Sequence, residues 1–523
     1  MLDYLDENSV LSSFYTRFPY PENFKTQIEE KSRSYNGKFR TILAEVLEKQ
    51  YNTFSLTKAT QTNIDLLKKD NTFTITTGHQ LNLFTGPLYT FYKIISVLNS
   101  CKILKTKYPE YNFVPVFWLA SEDHDFEEIN FFNYKDSKIS WDVESGGAVG
   151  EKSTKGLAEV FEMFSQQLPK SNFSDDLKAL FKEAYLKHES LSEASIYLYN
   201  ELFGDQGLVI LEPNVKALKS LFVPFIQNEI FDEFTFHKVS ATTEELKALD
   251  YHEQVTPREI NFFYKVEGLR ERIIRKKEQF FVLNTTLKFT KEQLITEIEN
   301  HPERFSPNAL LRPLYQEVVL PNLSYVGGGG ELAYWLQLKS TFKAFEVTFP
   351  CLQLRNSAVL YTKKTKHKLE KMNMRIKDLF LPRQELVNTY VEKASEVKID
   401  FSPQKEHLRQ QFKDLYTLAE QTDKSFLGAV AAQEQKQCNG LDKLEKRLLR
   451  AQRRRMKADV ERLENLQLDL FPKNNLQERV LNFSEVYEIY GKAFIDFLIK
   501  NLDPFDYRFL LLQLENYPTG LTK

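Results

Sequence analysis

The chain has 523 residues, 42% of them hydrophobic, with only 18 Gly and 19 Pro, which excludes a disordered or linker-rich protein and implies several packed units. Lys and Arg total 70 against 72 Asp and Glu, a net charge of −2 that supplies none of the long-range attraction nucleic-acid proteins exert on phosphate backbones. Three scattered cysteines, Cys101, Cys351 and Cys438, exclude a disulfide framework or a thiolate zinc site and point to a reducing compartment.

The start, Met1-Leu2-Asp3-Tyr4-Leu5-Asp6-Glu7, is acidic where a signal peptide is basic and then apolar. No apolar run approaches the ~20 residues of a membrane span. A cytoplasmic protein without membrane or nucleic-acid partners is therefore expected. Residues 1–70 read as a helical segment packing on a core. Phe73-Thr74-Ile75-Thr76 is β-branched and reads as a strand, ending in Thr77-Gly78-His79-Gln80. Thr85-Gly86-Pro87 then opens a helix with Leu88, Phe91, Ile95 and Leu98 on one face. The run Phe113 to Ala120 is apolar at nearly every position, as a strand covered on both faces should be. Strand, helix, strand makes a βαβ unit, whose right-handed crossover delivers both carboxyl ends to one edge of a parallel sheet, where such sheets bind ligands. Gly78-His79-Gln80 and Glu122-Asp123-His124-Asp125 are thus expected to face one cavity.

Further along, Ile139 to Val143 alternates and leads to amphipathic helices between about 156 and 203, and a third core strand is expected at Gly207 to Pro213. Ile260 to Tyr264, Arg272 to Ile274 and Phe280 to Leu283 read as antiparallel strands of an insertion. The core resumes near Pro321 to Val326, passes Gly327 to Gly330 and a helix with Trp335, Leu338 and Phe342, and closes with a strand at Val347 to Leu354. The expected organisation is a core in three parts, 71–135, 206–230 and 319–360, with inserted subdomains at 136–205 and 231–318 and a helical domain at 361–523. In that last part Leu408, Phe412, Leu415, Ala419, Thr422, Phe426, Ala429 and Gln433 keep a four-three spacing, a heptad seam. A second seam runs through Leu441, Leu444, Leu448 and Ala451. Asn439-Gly440 between them predicts a reversal into two antiparallel arms, with one long helix as the alternative.

The Gly78-His79-Gln80 turn, with Thr85 and Gly86 at a helix start, offers backbone N–H groups, a hydroxyl and an imidazole to a phosphate or carboxylate. Lys93, two turns into that helix, is a phosphate contact or a solvated lysine. Glu122, Asp123, His124 and Asp125 crowd three carboxylates around an imidazole, which destabilises a fold unless an amine, a cation or hydrogen bonds compensate. A magnesium ion brought by ATP would need one or two of these carboxylates, and His124 could deprotonate an amine. Gly327 and Gly328, with Glu331 before a helix, resemble a phosphate-cradling turn but match neither the Walker nor the dinucleotide spacing. Arg258 and Tyr334 are candidate substrate contacts. The run Arg447, Arg450, Arg453, Arg454, Arg455 and Lys457 reads as a solvated helix face.

In combination, Thr77-Gly78-His79-Gln80 with Leu83 to Tyr89, Phe117-Trp118-Leu119-Ala120 with Glu122 to Asp125, Tyr325-Val326-Gly327-Gly328 with Gly330 to Trp335, and Leu470-Phe471-Pro472 with Leu476 to Arg479 resemble the bacillithiol-synthesis cysteine ligase family, BshC. The resemblance spans nearly the whole chain. It implies an α/β fold with a Rossmann-like parallel-sheet core akin to class I synthetases and nucleotidyltransferases, two inserted subdomains, and a C-terminal α-helical coiled coil forming a homodimer. It further implies an amide-forming ligase that adds cysteine to the amine of glucosaminyl malate. ATP, with or without Mg2+, would activate the carboxylate, and no tightly bound metal is expected. His79 and Thr85 would then hold phosphates, Asp123 and Asp125 the ammonium groups or magnesium, and His124 would take the amine proton. The competing class is a non-catalytic nucleotide-binding coiled-coil scaffold.

Overall fold

Strand β1 (Thr72–His79) is buried along seven of its eight residues, and its two faces explain its mixed composition. Phe73 and Ile75 join Val97, Leu104, Leu323 and Val326 in a hydrophobic cluster. On the other face Thr74 and Thr76 donate to Asn322 Oδ1 at 3.1 and 2.8 Å. Asn322 in turn donates to Glu317, whose carboxylate also takes Lys31 Nζ at 3.1 Å. The buried hydroxyls are thereby satisfied, and threonine serves as a strand former inside the sheet.

The computed structural model describes residues 1–143, 146–422 and 424–515. After β1 comes α1 (Tyr89–Lys107), buried around most of its circumference, and then β2 (Asn112–Leu119), β3 (Val209–Leu211), β4 (Asn322–Gly327) and β5 (Cys351–Leu354). All four pairings are parallel and give the order β3-β2-β1-β4-β5. That is the order of doubly wound nucleotide-binding sheets, with the topological switch between β1 and β4. Registers of Gly78 with Trp118, Trp118 with Leu211 and Gly327 with Leu354 put five carboxyl ends along one edge. The Rossmann-like α/β core expected from the sequence is present.

The chain divides into two compact units, Met1–Ala358 with Glu478–Leu510, and Val359–Gln477 with the residues from Leu511 on. Residues 478–510 therefore belong with the first unit and not with the helical domain expected over 361–523. Their polar side chains bond residues far back in the chain, as Glu478 does with Arg355, contacts that local periodicity does not report. The expected boundary at 136 also cuts a hairpin, Phe131–Tyr134 with Ser137–Ser140. Helices Leu157–Gln167, Asn172–Leu186 and Leu191–Phe203 follow it. Between β3 and β4 stands a five-stranded antiparallel sheet built on Phe262–Val266, Leu269–Lys276 and Gln279–Val282, edged by Lys288–Phe289 and Phe305–Pro307.

In the second unit Ser402–Glu420 packs against Lys424–Arg455. Lys405 pairs with Asp442 and Glu445, and Tyr416 donates to Glu434 at 2.9 Å, so the two helices are antiparallel. The reversal lies between Glu420 and Lys424, not at Asn439-Gly440, which sits inside a helix of 32 residues, about 48 Å long. One interior Gly costs a helix only about 1 kcal/mol, too little to end a well-packed one. Because the turn comes early, a heptad count carried across it loses phase. Phe412, Ala419 and Val430 are buried together, whereas Leu415 and Phe426 are exposed.

Candidate active site

At the carboxyl edge of the sheet a cavity of about 500 Å³ is lined by Gly78, His79 and Gln80 at the end of β1, Trp118 to Ala120 with Glu122 and Asp123 at the end of β2, Pro213 after β3, Gly328 to Glu331 after β4, and Arg355 after β5. Asn308, Arg312 and Tyr334 from the stretch around β4 complete it, with Arg270 from the antiparallel sheet and Arg479 from the returning segment. A Cβ on Gly78 would make only ordinary contacts, 3.4 Å from the Trp118 carbonyl and 3.6 Å from Arg312 Nη1, so packing alone does not demand a glycine there. Both polar clusters contribute, as the βαβ argument expects, but they divide.

On the β1 and β4 side, Lys93 Nζ lies 2.7 Å from the Glu331 carboxylate and donates to Gly78 O at 2.9 Å. Glu331 also accepts the Gly328 N–H at 2.7 Å and the Tyr325 hydroxyl at 3.2 Å. Burial alone raises the Glu331 pKa, but the Lys93 ammonium and these hydrogen bonds bring it below the usual carboxylate range. Lys93 is thus spent on an internal ion pair rather than free for a phosphate. His79 is pushed down to about 3, first by burial and then by the cations of Lys93 and Arg355. Its ring is neutral at physiological pH, and its buried Nε2 has no hydrogen-bond partner, so it is a neutral polar contact awaiting one.

The acidic tetrad separates residue by residue. Glu122 is consumed by the buried Lys219, whose Nζ lies 2.7 and 2.9 Å from its two oxygens. Asp123 lines the cavity, accepting Gln80 Nε2 at 2.8 Å and the His124 N–H at 2.8 Å. Burial would raise its pKa; the hydrogen bonds from His124 and Gln80 and the charge of Arg270 hold it far below the usual range. His124 and Asp125 do not line the cavity, and their side chains are 46% and 55% exposed. Arg270 Nη1 stands 2.7 Å from His124 Nδ1, so that nitrogen accepts and the ring proton sits on Nε2. Donor atoms of Asp123, His124 and Asp125 lie within 4.8 Å of one another, a spacing that suits a divalent ion. The guanidinium on Nδ1 opposes one, leaving the two carboxylates as the better ligands.

Other sequence candidates lie outside the cavity. Thr77 donates to Val326 O at 2.7 Å and fastens β1 to β4. Thr85 and Gly86 are buried behind the sheet edge, where the helix start is already occupied: Leu88 N–H donates to Leu481 O at 2.7 Å. Gly327 ends β4, and a Cβ there would lie 3.0 Å from Tyr325 Cε1; its neighbour Gly328 does line the cavity. The Arg258 side chain is exposed and away from the site, its backbone N–H bonded to Asn261. Gln80, Glu331 and Tyr334 are where the motifs placed them.

Sequence reasoning missed Tyr89, Arg270, Asn308, Arg312, Arg355 and Arg479. Arg355 alone carried a local signal, since it directly follows a strand of the same parallel sheet. Tyr89 opens the helix that follows β1, and the others enter from the insertion and from a segment more than a hundred residues downstream, where no strand-end rule applies.

Residues 1–356 match the family described as bacillithiol biosynthesis BshC, N-terminal Rossmann-like domain, and residues 358–514 match its C-terminal coiled-coil domain. A protein of Christiangramia forsetii named "Putative cysteine ligase BshC" is 52% identical over 516 residues, covering 98% of this chain and 96% of its own. Proteins of the same name from Flavobacterium johnsoniae and Cytophaga hutchinsonii are 50% and 35% identical, covering 98% and 96% of this chain and 96% and 94% of theirs.

Proposed function

The chain belongs to the BshC family of bacillithiol biosynthesis, and from that premise we propose that it is an amide-forming ligase joining the carboxyl group of cysteine to the amine of glucosaminyl malate, with ATP activating the carboxylate. The observation that carries this reading is the cavity at the switch point, where cationic groups and the ionised Asp123 face one another across about 500 Å³. Carboxylate and ammonium do not condense in water unaided. Transfer of a phosphoryl or adenylyl group from ATP to a carboxylate oxygen, with release of ADP or pyrophosphate respectively, makes that oxygen a leaving group. The free amine then attacks the carbonyl carbon, the oxygen departs with the transferred group, and the amine proton passes to solvent.

In this scheme the phosphates face Gly328 to Gly330, and the neutral His79 gives or takes a hydrogen bond at Nε2. Asp123, fixed by Gln80, holds the substrate amine. A carboxylate held so far below its usual range is a weak base, so its contribution is electrostatic: it stabilises the positive charge growing on the attacking nitrogen. His124, half exposed and held by Arg270, supplies no proton transfer. The helices Ser402–Glu420 and Lys424–Arg455 expose Leu415, Leu418, Phe426 and Leu444, an apolar surface suited to pairing two copies, which sedimentation of the purified protein tests. Among the described residues no helix is long and apolar enough to cross a membrane. With all three cysteines free, a reducing cytoplasm suits the protein.

Incubation with cysteine, glucosaminyl malate and ATP should yield the thiol product and nucleotide breakdown together. Product without nucleotide loss removes ATP from the scheme; absence of both removes the ligase reading. Asp123→Asn should lower kcat by about 10²-fold, and His124→Ala by less than threefold. The reverse ranking would return His124 to the role of general base.

A further inference from the structure

Five cationic side chains line the cavity, and three are committed within the protein. Lys93 pairs with Glu331, Arg355 Nη2 with Glu478 at 2.7 Å, and Arg270 bonds His124, Ser306 and the Pro307 carbonyl. Arg312 is different. Its Nη1 donates to Gln316 Oε1 at 3.0 Å, a neutral acceptor, the Tyr334 hydroxyl is a further neutral partner of the guanidinium, and Nη2 is buried with no hydrogen-bond partner. Among the described residues no carboxylate forms an ion pair with it. The guanidinium lies 5.4 Å from the centre of the Tyr325 ring, on the cavity floor beside Gly78.

Arginine cannot shed its proton to escape burial, so a buried guanidinium without a counter-ion destabilises a fold unless a ligand completes it. Burial by itself lowers the Arg312 pKa, but the Tyr325 and Tyr334 phenols and the Glu331 carboxylate more than reverse this, so the group stays charged. The planar fork of a guanidinium matches the two oxygens of a carboxylate. Arg479 also lines the cavity, is exposed, and has no ion pair among the described residues. Two guanidinium groups without a carboxylate partner on one cavity suit two anionic groups on one ligand.

Building on the ligase reading, we propose that Arg312 anchors one carboxylate of the malyl group and Arg479 the other, so that the site selects an amino sugar carrying a dicarboxylic acid over a plain amino sugar. Phosphate oxygens share this chemistry, and separate Michaelis constants tell the two sources apart. Arg312→Gln should raise KM for glucosaminyl malate by about 10- to 100-fold, with KM for ATP and for cysteine changing less than threefold. Arg312→Lys, which keeps the charge but not the fork, should recover part of the loss. Methyl glucosaminide, an amine without the diacid, should be used slowly and equally by the wild type and Arg312→Gln. Arg479→Gln should act in the same direction with a smaller effect.

A rise confined to KM for ATP would assign Arg312 to phosphate and overturn the proposal. Equal losses on both acceptors would reduce Arg312 to a structural role, also overturning it. Calorimetric titration of the full chain with malate, without turnover, separates this inference from the reading beneath it. Malate binding that disappears in a folded Arg312→Gln protein upholds the anchor even if no amide is formed. Amide formation by the wild type, with malate binding unchanged in the variant, sinks the anchor alone.

Discussion

Two glycine-bearing turns flank the switch point, one after β1 and one after β4, and in sequence either could cradle phosphates. They differ in what has become of their polar groups. In the first, Phe84, Thr85 and Gly86 all take positive φ, at 47°, 67° and 63°. Asn482 Nδ2 donates to the Phe84 and Gly86 carbonyls at 2.8 and 2.7 Å, and Tyr185 accepts the Phe84 N–H at 2.8 Å. Phe84 itself is packed among Phe132, Phe164, Phe181 and Phe483. Strain there is held by surrounding packing, and the turn is structural. In the second, Gly328 bonds Glu331 and lines the cavity, while a Cβ on Gly330 would meet nothing within 4 Å. A glycine signals a ligand only where its backbone is still uncommitted.

The sharpest break of that contrast is Glu331→Gln, which strips Lys93 of its counter-ion at the second turn. Leaving a buried ammonium unpaired should cost about 3 kcal/mol in urea unfolding, and an unchanged midpoint would show that the ion pair does not hold the turn. Next comes Gly86→Ala, whose Cβ would fall 2.5 Å from Asn82 Cβ at a positive φ. It should lose about 2–3 kcal/mol while KM for ATP in the surviving enzyme stays constant. Asn482→Ala, removing two buried donations to the same turn, should cost about 1–2 kcal/mol, again without touching KM.

His79 gives a pH test of how deeply the first turn is sealed. It titrates near 3 when folded against 6.5 ordinarily. Between those values the unfolded chain is protonated and the native protein is not. The unfolded state then binds more protons, so stability rises with pH across the window and is lost as pH falls through it. His79→Gln should flatten that slope, and an identical slope in the variant would assign it to other groups. Smallest in stability is Gly330→Ala, expected within 0.5 kcal/mol of wild type, yet it should raise KM for ATP several-fold. A shift in stability without one in KM would exchange the roles of the two turns.

Periodicity and strand-end logic located β1, β2, the shared edge, and the cavity positions of His79, Gln80, Asp123, Gly328 and Glu331. The same logic brought Lys93 and Glu122 to the cavity but not their ion pairs, because whether a charge is free depends on partners such as Glu331 and Lys219, which lie 238 and 97 residues away. It misplaced the helical reversal because a heptad count holds its phase only while the helix continues. Arg312 had no local signal, since its meaning rests on a missing counter-ion.

Local order, an apolar strand with turn residues at its end, is written in neighbouring residues, and so the parallel core and the edge that carries the cavity were determined by sequence alone. Which polar groups remain available on that edge was decided only by tertiary structure. Burial makes every ion seek a partner, and the partners are supplied by segments that approach in space and not along the chain.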